Sequence, residues 1–130
     1  MTLTLATANV LGMANPVAYF EITSNDPARA RAFYGDLFGW KAEPDESLGG
    51  YAMVDTGAGD TAIGGGIGAS NEPGDTGIRI YIQVDDLEGY LEKAGKLGGT
   101  TVVPPTELPG DYGRFAVFTD PDGNQVGLWG

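Results

Sequence analysis

Between residues 17 and 23 apolar and polar side chains alternate. Ala18, Phe20 and Ile22 fall on one side and Tyr19, Glu21 and Thr23 on the other, which predicts a strand buried on one face. Asp26 then offers a side-chain cap, and Pro27 occupies a first helical position where its missing amide costs nothing. The helix is predicted to run to about Phe38, with Ala30, Phe33, Leu37 and Phe38 as its buried stripe. Gly39, able to adopt the left-handed conformation, ends it. Three short strands follow at 40–43, 51–55 and 61–67, separated by turns rich in Gly, Asp and Pro.

The plan then starts again. Residues 78–84 alternate, with Ile80, Ile82 and Val84 apolar and Arg79, Tyr81 and Gln83 opposite. Asp85 is predicted to cap a second helix, with Glu88 three residues on as in a capping box. Leu87, Tyr90, Leu91, Ala94 and Leu97 share one face, and Gly98-Gly99 stops the helix. Strands at 100–103, 113–119 and 125–129 complete the copy, and residues 71–77 read as the linker between copies. Each half is β-α-β-β-β, and neither covers its own sheet alone. The predicted fold is α+β: modules 15–70 and 77–130 pair into a curved eight-stranded mixed sheet, with helices on the convex face and a concave floor. Residues 1–14 are an extension that carries no Lys or Arg and makes a poor secretion signal.

At 130 residues the chain is expected to form one domain, 15–130, and its 42% hydrophobic content suffices for a core. Its net charge of −11 argues against a nucleic-acid partner, which needs clustered Lys and Arg. No segment approaches the roughly 20 apolar residues of a membrane helix, so no membrane partner and a cytoplasmic location are expected. The chain contains neither Cys nor His, which excludes disulfides, thiol catalysis and a Ser-His-Asp triad. It also removes the commonest ligands for catalytic first-row metals.

Asn25-Asp26-Pro27, Phe33-Tyr34-x-x-Leu37-Phe38-Gly39-Trp40 and Asp120-Pro121-Asp122-Gly123-Asn124, each correctly placed in the repeat, resemble the glyoxalase/bleomycin-resistance/extradiol-dioxygenase superfamily, also called vicinal oxygen chelate. The likeness covers residues 15–130. It implies a floor on which metal-dependent members hold an ion with four side chains, typically His and Glu. The matching positions here are Tyr19, Arg79, Gly127 and a residue near Ile63-Gly64-Gly65 whose register the sequence leaves open. A permanent cation at Arg79 would repel a divalent ion. The resemblance therefore implies a glyoxalase-like chain without metal or other cofactor, and without metal-dependent isomerisation, ring cleavage or thiol transfer. It also implies a homodimer, because single-domain members usually build pockets from two chains.

Alternation places Tyr19, Glu21, Arg79, Tyr81, Gln125 and Trp129 on the floor as candidate ligand-binding residues. Arg79 would grip a carboxylate or phosphate, with Tyr19, Tyr81 and Trp129 stacking on the organic part. Equally, Arg79 and Glu21 would form an ion pair that fills a former metal site. Three other features are set aside. Gly57-x-Gly59-x-x-Ala62 matches a dinucleotide fingerprint as a string, but Gly64-Gly65-Gly66 forbids the helix it needs; that glycine run reads as a bent strand or a crossing between modules. Asp120 and Asp122 lie on a turn that supplies too few oxygens for Ca²⁺, and Glu43, Asp45 and Glu46 read as a solvated acidic loop. Three functions remain: a metal-independent small-molecule binder that sequesters a drug or metabolite, an enzyme using Glu21, Tyr19 or Tyr81 as acid or base, and a partner subunit that binds no ligand.

Overall fold

The computed structural model describes residues 15–70 and 76–130. The predicted extension, 1–14, and most of the predicted linker, 71–75, lie outside the described residues. Eight strands follow the order β2-β3-β4-β1-β5-β8-β7-β6 in one open mixed sheet, with two helices. This is the α+β class that the two alternating strand-and-helix openings predict. The chain divides into two compact units, residues 19–80 and residues 81–130 together with 15–18.

The unit 19–80 holds most of β1 (Val17–Ser24), then α1 (Pro27–Phe38), β2 (Lys41–Asp45), β3 (Tyr51–Asp55) and β4 (Gly64–Ala69). Asp26 accepts a hydrogen bond from the Arg29 amide, and Gly39 closes α1 at φ 75°. β1 pairs parallel with β4, while β4 with β3 and β3 with β2 are antiparallel. Phe20 and Ile22 face the core as expected, where Ile22, Val54 and Ile67 are buried and Phe20, Ala30, Tyr34, Trp40 and Ala42 pack around them.

Of the stripe expected on α1, Ala30 packs against the core but Phe33, Leu37 and Phe38 do not. Phe33 and Leu37 are each 59% exposed and Phe38 is 56% exposed. Apolar side chains occupy two neighbouring stripes of this helix. Tyr34 stacks on Trp40 at 5.6 Å, so the stripe of Ala30 and Tyr34 turns inward instead. With its ring in the core, Trp40 precedes β2, which runs on to Asp45 through Pro44. β4 begins only at Gly64, after a 3-10 turn at Gly59–Thr61.

The second unit contains the end of β5 (Gly77–Gln83), then α2 (Leu87–Lys96), β6 (Thr100–Glu107), β7 (Arg114–Thr119) and β8 (Gln125–Trp129). Val84, Leu87, Leu91, Ala116 and Leu128 form its core, with Ile82, Tyr90 and Phe118 against it. The helix cap is Asp86 rather than Asp85, and its carboxylate accepts from the Gly89 amide. Three-residue spacing is the same for Asp85–Glu88 and Asp86–Gly89, so a side-chain pair on paper lost to a backbone amide in reach. Leu97 is 71% exposed, because α2 stops one residue before it. On β5, Ile78 and Ile80 are 69% and 42% exposed, so the apolar face predicted there is buried only from Ile82 onward. β6 continues four residues beyond its expected end, through Pro104 and Pro105.

The Asp120 carboxylate accepts from the amides of Asp122 and Asn124 and from the Asn124 side chain. These bonds fold the turn between β7 and β8 and hold the Asp120 carboxyl below its ordinary range. Arg114, the other strand arginine, grips Glu88 of α2 through both guanidinium ends at 2.7 and 3.1 Å.

Candidate functional site

In the unit 19–80 the face of the sheet away from α1 is built from alternate residues of three strands. β1 supplies Tyr19 and Glu21, β3 supplies Tyr51 and Met53, and β4 between them supplies Gly64, Gly66 and Gly68. Tyr19 lies opposite Gly64, Glu21 opposite Gly66 and Thr23 opposite Gly68. This settles the register that the sequence left open around Ile63–Gly65.

Two of these glycines, Gly66 and Gly68, form a trough for aromatic rings. A Cβ on Gly66 would collide with the Tyr51 and Tyr19 hydroxyls, and one on Gly68 with the Tyr51 ring. On the opposite face, a Cβ on Gly65 would strike the Phe20 ring. The run is therefore not a crossing between modules, since β4 lies wholly within the unit 19–80. It is a strand paired on both sides, on which side chains, not backbone, make the close approach at Gly65, Gly66 and Gly68.

Across the trough the Tyr19 and Tyr51 hydroxyl oxygens lie 2.6 Å apart, and Tyr51 donates to Glu21 Oε2 at 3.0 Å. Arg79 Nη1 stands 3.5 Å from Glu21 Oε1, and the two side chains are 27% and 18% exposed. Glu21 thus meets a phenol with one oxygen and a guanidinium with the other. Met53 Sδ lies 3.6 Å from the Tyr19 hydroxyl. Burial, then the negative charge of Glu21, then Tyr19 push the Tyr51 phenol well above its ordinary range. Tyr51 is consequently a donor that keeps its proton, not a base.

Three of the predicted site residues, Tyr19, Glu21 and Arg79, are brought together. Tyr81, Gln125 and Trp129 belong to the other unit. Tyr81 is 6% exposed, with its ring over Gly127 and edge-on to Phe115 at 6.5 Å. The Trp129 indole donates to the Tyr112 carbonyl at 2.6 Å, and Gln125 opens β8 opposite Thr119.

Tyr51 is the residue that sequence reasoning missed. Its alternation with Ala52 and Val54, both buried, marked its face. The lateral pairing of β3 on β4, which brings it to Glu21, is not written in the local pattern. Beyond Met53 this face continues to the β2 edge as an open groove of about 510 Å³, lined by Lys41, Glu43, Asp45, Glu46 and Asp55 among others. Glu43, at the end of the strand predicted at 40–43, pairs with Met53; Asp45, expected in a loop, is a strand residue paired with Tyr51, and Lys41 is paired with Asp55.

The donor set does not fit a divalent transition metal. Its single carboxylate already faces a guanidinium, and the other groups are phenols. Among the described residues no three of His, Cys, Asp and Glu converge. Nor is any helix among them long and apolar enough to cross a membrane.

The family model described as Glyoxalase/Bleomycin resistance protein/Dioxygenase superfamily matches residues 16–128. The anthracycline biosynthesis protein DnrV of Streptomyces peucetius is 32% identical over 126 residues, covering 86% of this chain and 46% of that protein. A glyoxylase-like domain-containing protein of Didymella fabae is 32% identical over 112 residues, covering 83% of this chain and 88% of that one. The chain thus spans about half the length of some curated relatives that it matches. Among solved structures, methylmalonyl-CoA epimerase from Mycobacterium tuberculosis superposes with a TM-score of 0.61 at 16% identity, covering 90% of this chain and 87% of that one. That likeness is one of fold.

Proposed function

From a chain that belongs to the Glyoxalase/Bleomycin resistance protein/Dioxygenase superfamily, we propose a protein that binds a small organic molecule without a transition metal, at the cluster of Tyr19, Glu21, Tyr51 and Arg79. The observation that carries this reading is the Glu21 carboxylate, shared between Arg79 and Tyr51 beside Tyr19 and so not left to a metal ion. Phenols, a carboxylate and a guanidinium on one sheet face offer donors and acceptors at fixed spacing, as a ligand site requires. A relative named for anthracycline biosynthesis supports a metabolite as the ligand. An acid–base enzyme is the weaker reading, because Tyr51 holds its proton and leaves only Glu21 or Tyr19 for such work.

The test is Arg79→Met, which keeps most of the side-chain stem and removes the charge. A thermal-shift screen of carboxylates, hydroxylated aromatics and basic antibiotics first identifies a stabilising compound, and the variant is expected to lose that stabilisation while still folding. The pair is partly exposed, so breaking it should cost about 1–3 kcal/mol, between the exposed and buried cases. Adding Glu21→Gln should recover much of the loss. Untouched stability together with untouched binding would remove Arg79 from the site.

A further inference from the structure

The solvent side of α1 carries an ordered stripe. Arg29, Phe33, Asp36 and Leu37 fall within about 100° of one another around the helix, and all four are exposed. Phe33 and Leu37 stand one turn apart, each more than half exposed, so their apolar surface is contiguous. The two charges beside them oppose the helix. Arg29 sits in the first turn and Asp36 in the last, and α1 has no acidic residue in the former and no basic residue in the latter. A helix dipole favours the reverse, as α2 shows with Glu88 at its start and Lys93 and Lys96 at its end. Nor do these charges relieve each other within the chain. They are seven residues apart, about 10 Å along the axis, and among the described residues no ion pair engages either one. An arrangement that costs locally calls for a compensating gain elsewhere.

Independently of the ligand reading, we propose that this stripe binds a second copy of the chain, α1 against α1, antiparallel about a twofold axis beside Phe33. A twofold contact must be self-complementary, and the stripe meets that demand. Antiparallel pairing centred at Phe33 sets residue 29 of one copy against residues 36 and 37 of the other. Each Arg29 then meets an Asp36 carboxylate and lays its stem on Leu37, while the two Phe33 rings meet at the axis. Parallel pairing would line up Arg29 with Arg29 and Asp36 with Asp36, so the charges also fix the direction. Twelve residues of helix span about 18 Å, which makes a contact smaller than the roughly 800 Å² per partner of standard complexes. A reversible dimer of micromolar strength is expected. The cluster of Tyr19, Glu21, Tyr51 and Arg79 lies on the sheet face away from α1, so this contact leaves it to one chain. That differs from the shared pocket which the family resemblance implies.

The experiment is analytical ultracentrifugation of the full chain across the micromolar range. The wild type should show a monomer–dimer equilibrium. Phe33→Glu removes the ring and sets like charges at the axis, and should raise Kd at least about thirtyfold, as loss of an aromatic hot spot does. Arg29→Asp and Asp36→Arg each bring like charges together twice and should each raise Kd about tenfold or more. The variant carrying both changes restores opposite charges across the axis and should return Kd close to the wild-type value. Each charge change agrees with the helix dipole, so a weaker dimer cannot be laid to a weaker α1, and circular dichroism melts check this. The charge-swap series decides the matter if Phe33→Glu does not fold. Monomer at every concentration overturns the proposal and leaves the stripe to residues 1–14 or to another protein. A dimer that the variants leave intact, or single losses that the swap does not restore, overturns it as well.

Discussion

Gly66→Ala puts the central contact of the site under direct load. The added methyl would occupy the space of the Tyr51 and Tyr19 hydroxyls, and β4, paired on both sides, cannot move away to make room. The rings must swing off the trough. That sacrifices the Tyr19–Tyr51 hydrogen bond, about 1 kcal/mol, and the bond from Tyr51 to the Glu21 carboxylate, about 1.5–3 kcal/mol, so the expected loss is about 2–4 kcal/mol. Gly64→Ala is the control, since it lies on the same strand and face. Its nearest neighbour is the Val54 carbonyl oxygen at 3.9 Å, and its backbone is outside the left-handed region. That substitution should be neutral or stabilising by up to about 1 kcal/mol, through the unfolded state. A chain of this size loses roughly 3–5 °C of melting temperature per kcal/mol. Circular dichroism melts should thus place Gly66→Ala about 10 °C below wild type and Gly64→Ala within a few degrees of it. If the two variants melt together, the rings do not rest on Gly66 and the site geometry is refuted.

The remaining predictions concern titration and assembly. The folded Tyr51 phenol lies above its ordinary value of 10.0, so the folded chain holds a proton that the unfolded chain releases. Its contribution is complete below about pH 10 and is lost as pH rises beyond, at up to about 1.4 kcal/mol per pH unit; denaturant melts of Tyr51→Phe should show a shallower alkaline decline than wild type. The hydrogen bonds from Arg114 lower the Glu88 carboxyl to about 2, so its stabilising effect is present above the ordinary 4.5 and fades as pH falls toward 2. NMR titration should show Glu88 returning toward its ordinary value in Arg114→Lys, which cannot grip both oxygens. Metal analysis after dialysis against a chelator should find substoichiometric zinc, nickel and iron, and a full equivalent held at the cluster would contradict the donor chemistry. Light scattering at micromolar concentration is expected to give a dimer, and monomer mass would count against it.

Much of this was readable in advance, and the failures have a common cause. Alternation along β1 separated Phe20 and Ile22 from Tyr19 and Glu21 correctly, because a pleated strand leaves one choice once a face is buried. The bracket of Asp26, Pro27 and Gly39 gave the ends of α1, since capping is local chemistry. The side of α1 that turns inward was decided elsewhere, by the Trp40 ring beneath Tyr34. Twelve helical positions could not decide whether Ala30 turns inward together with Phe33 and Leu37 or with Tyr34. Arg79 and Glu21 could be paired by chemical need, since a buried guanidinium calls for a carboxylate and Glu21 was the one expected on the same face. Tyr51 escaped because its partners lie about thirty residues away across a strand of glycines, and lateral register is a property of the assembled sheet.

The prolines in the outermost strands bear on how this protein behaves at high concentration. Pro44 lies in β2 and Pro104 and Pro105 lie in β6, the two ends of the strand order. Each lacks an amide hydrogen, so neither boundary presents the unbroken row of donors and acceptors that a foreign strand could continue. The native sheet is thereby a poor seed for fibrils. Aggregation in a crowded solution should follow the fraction of unfolded chain, not the concentration of folded protein, and conditions that slow unfolding should protect against it even when the solution is made more concentrated.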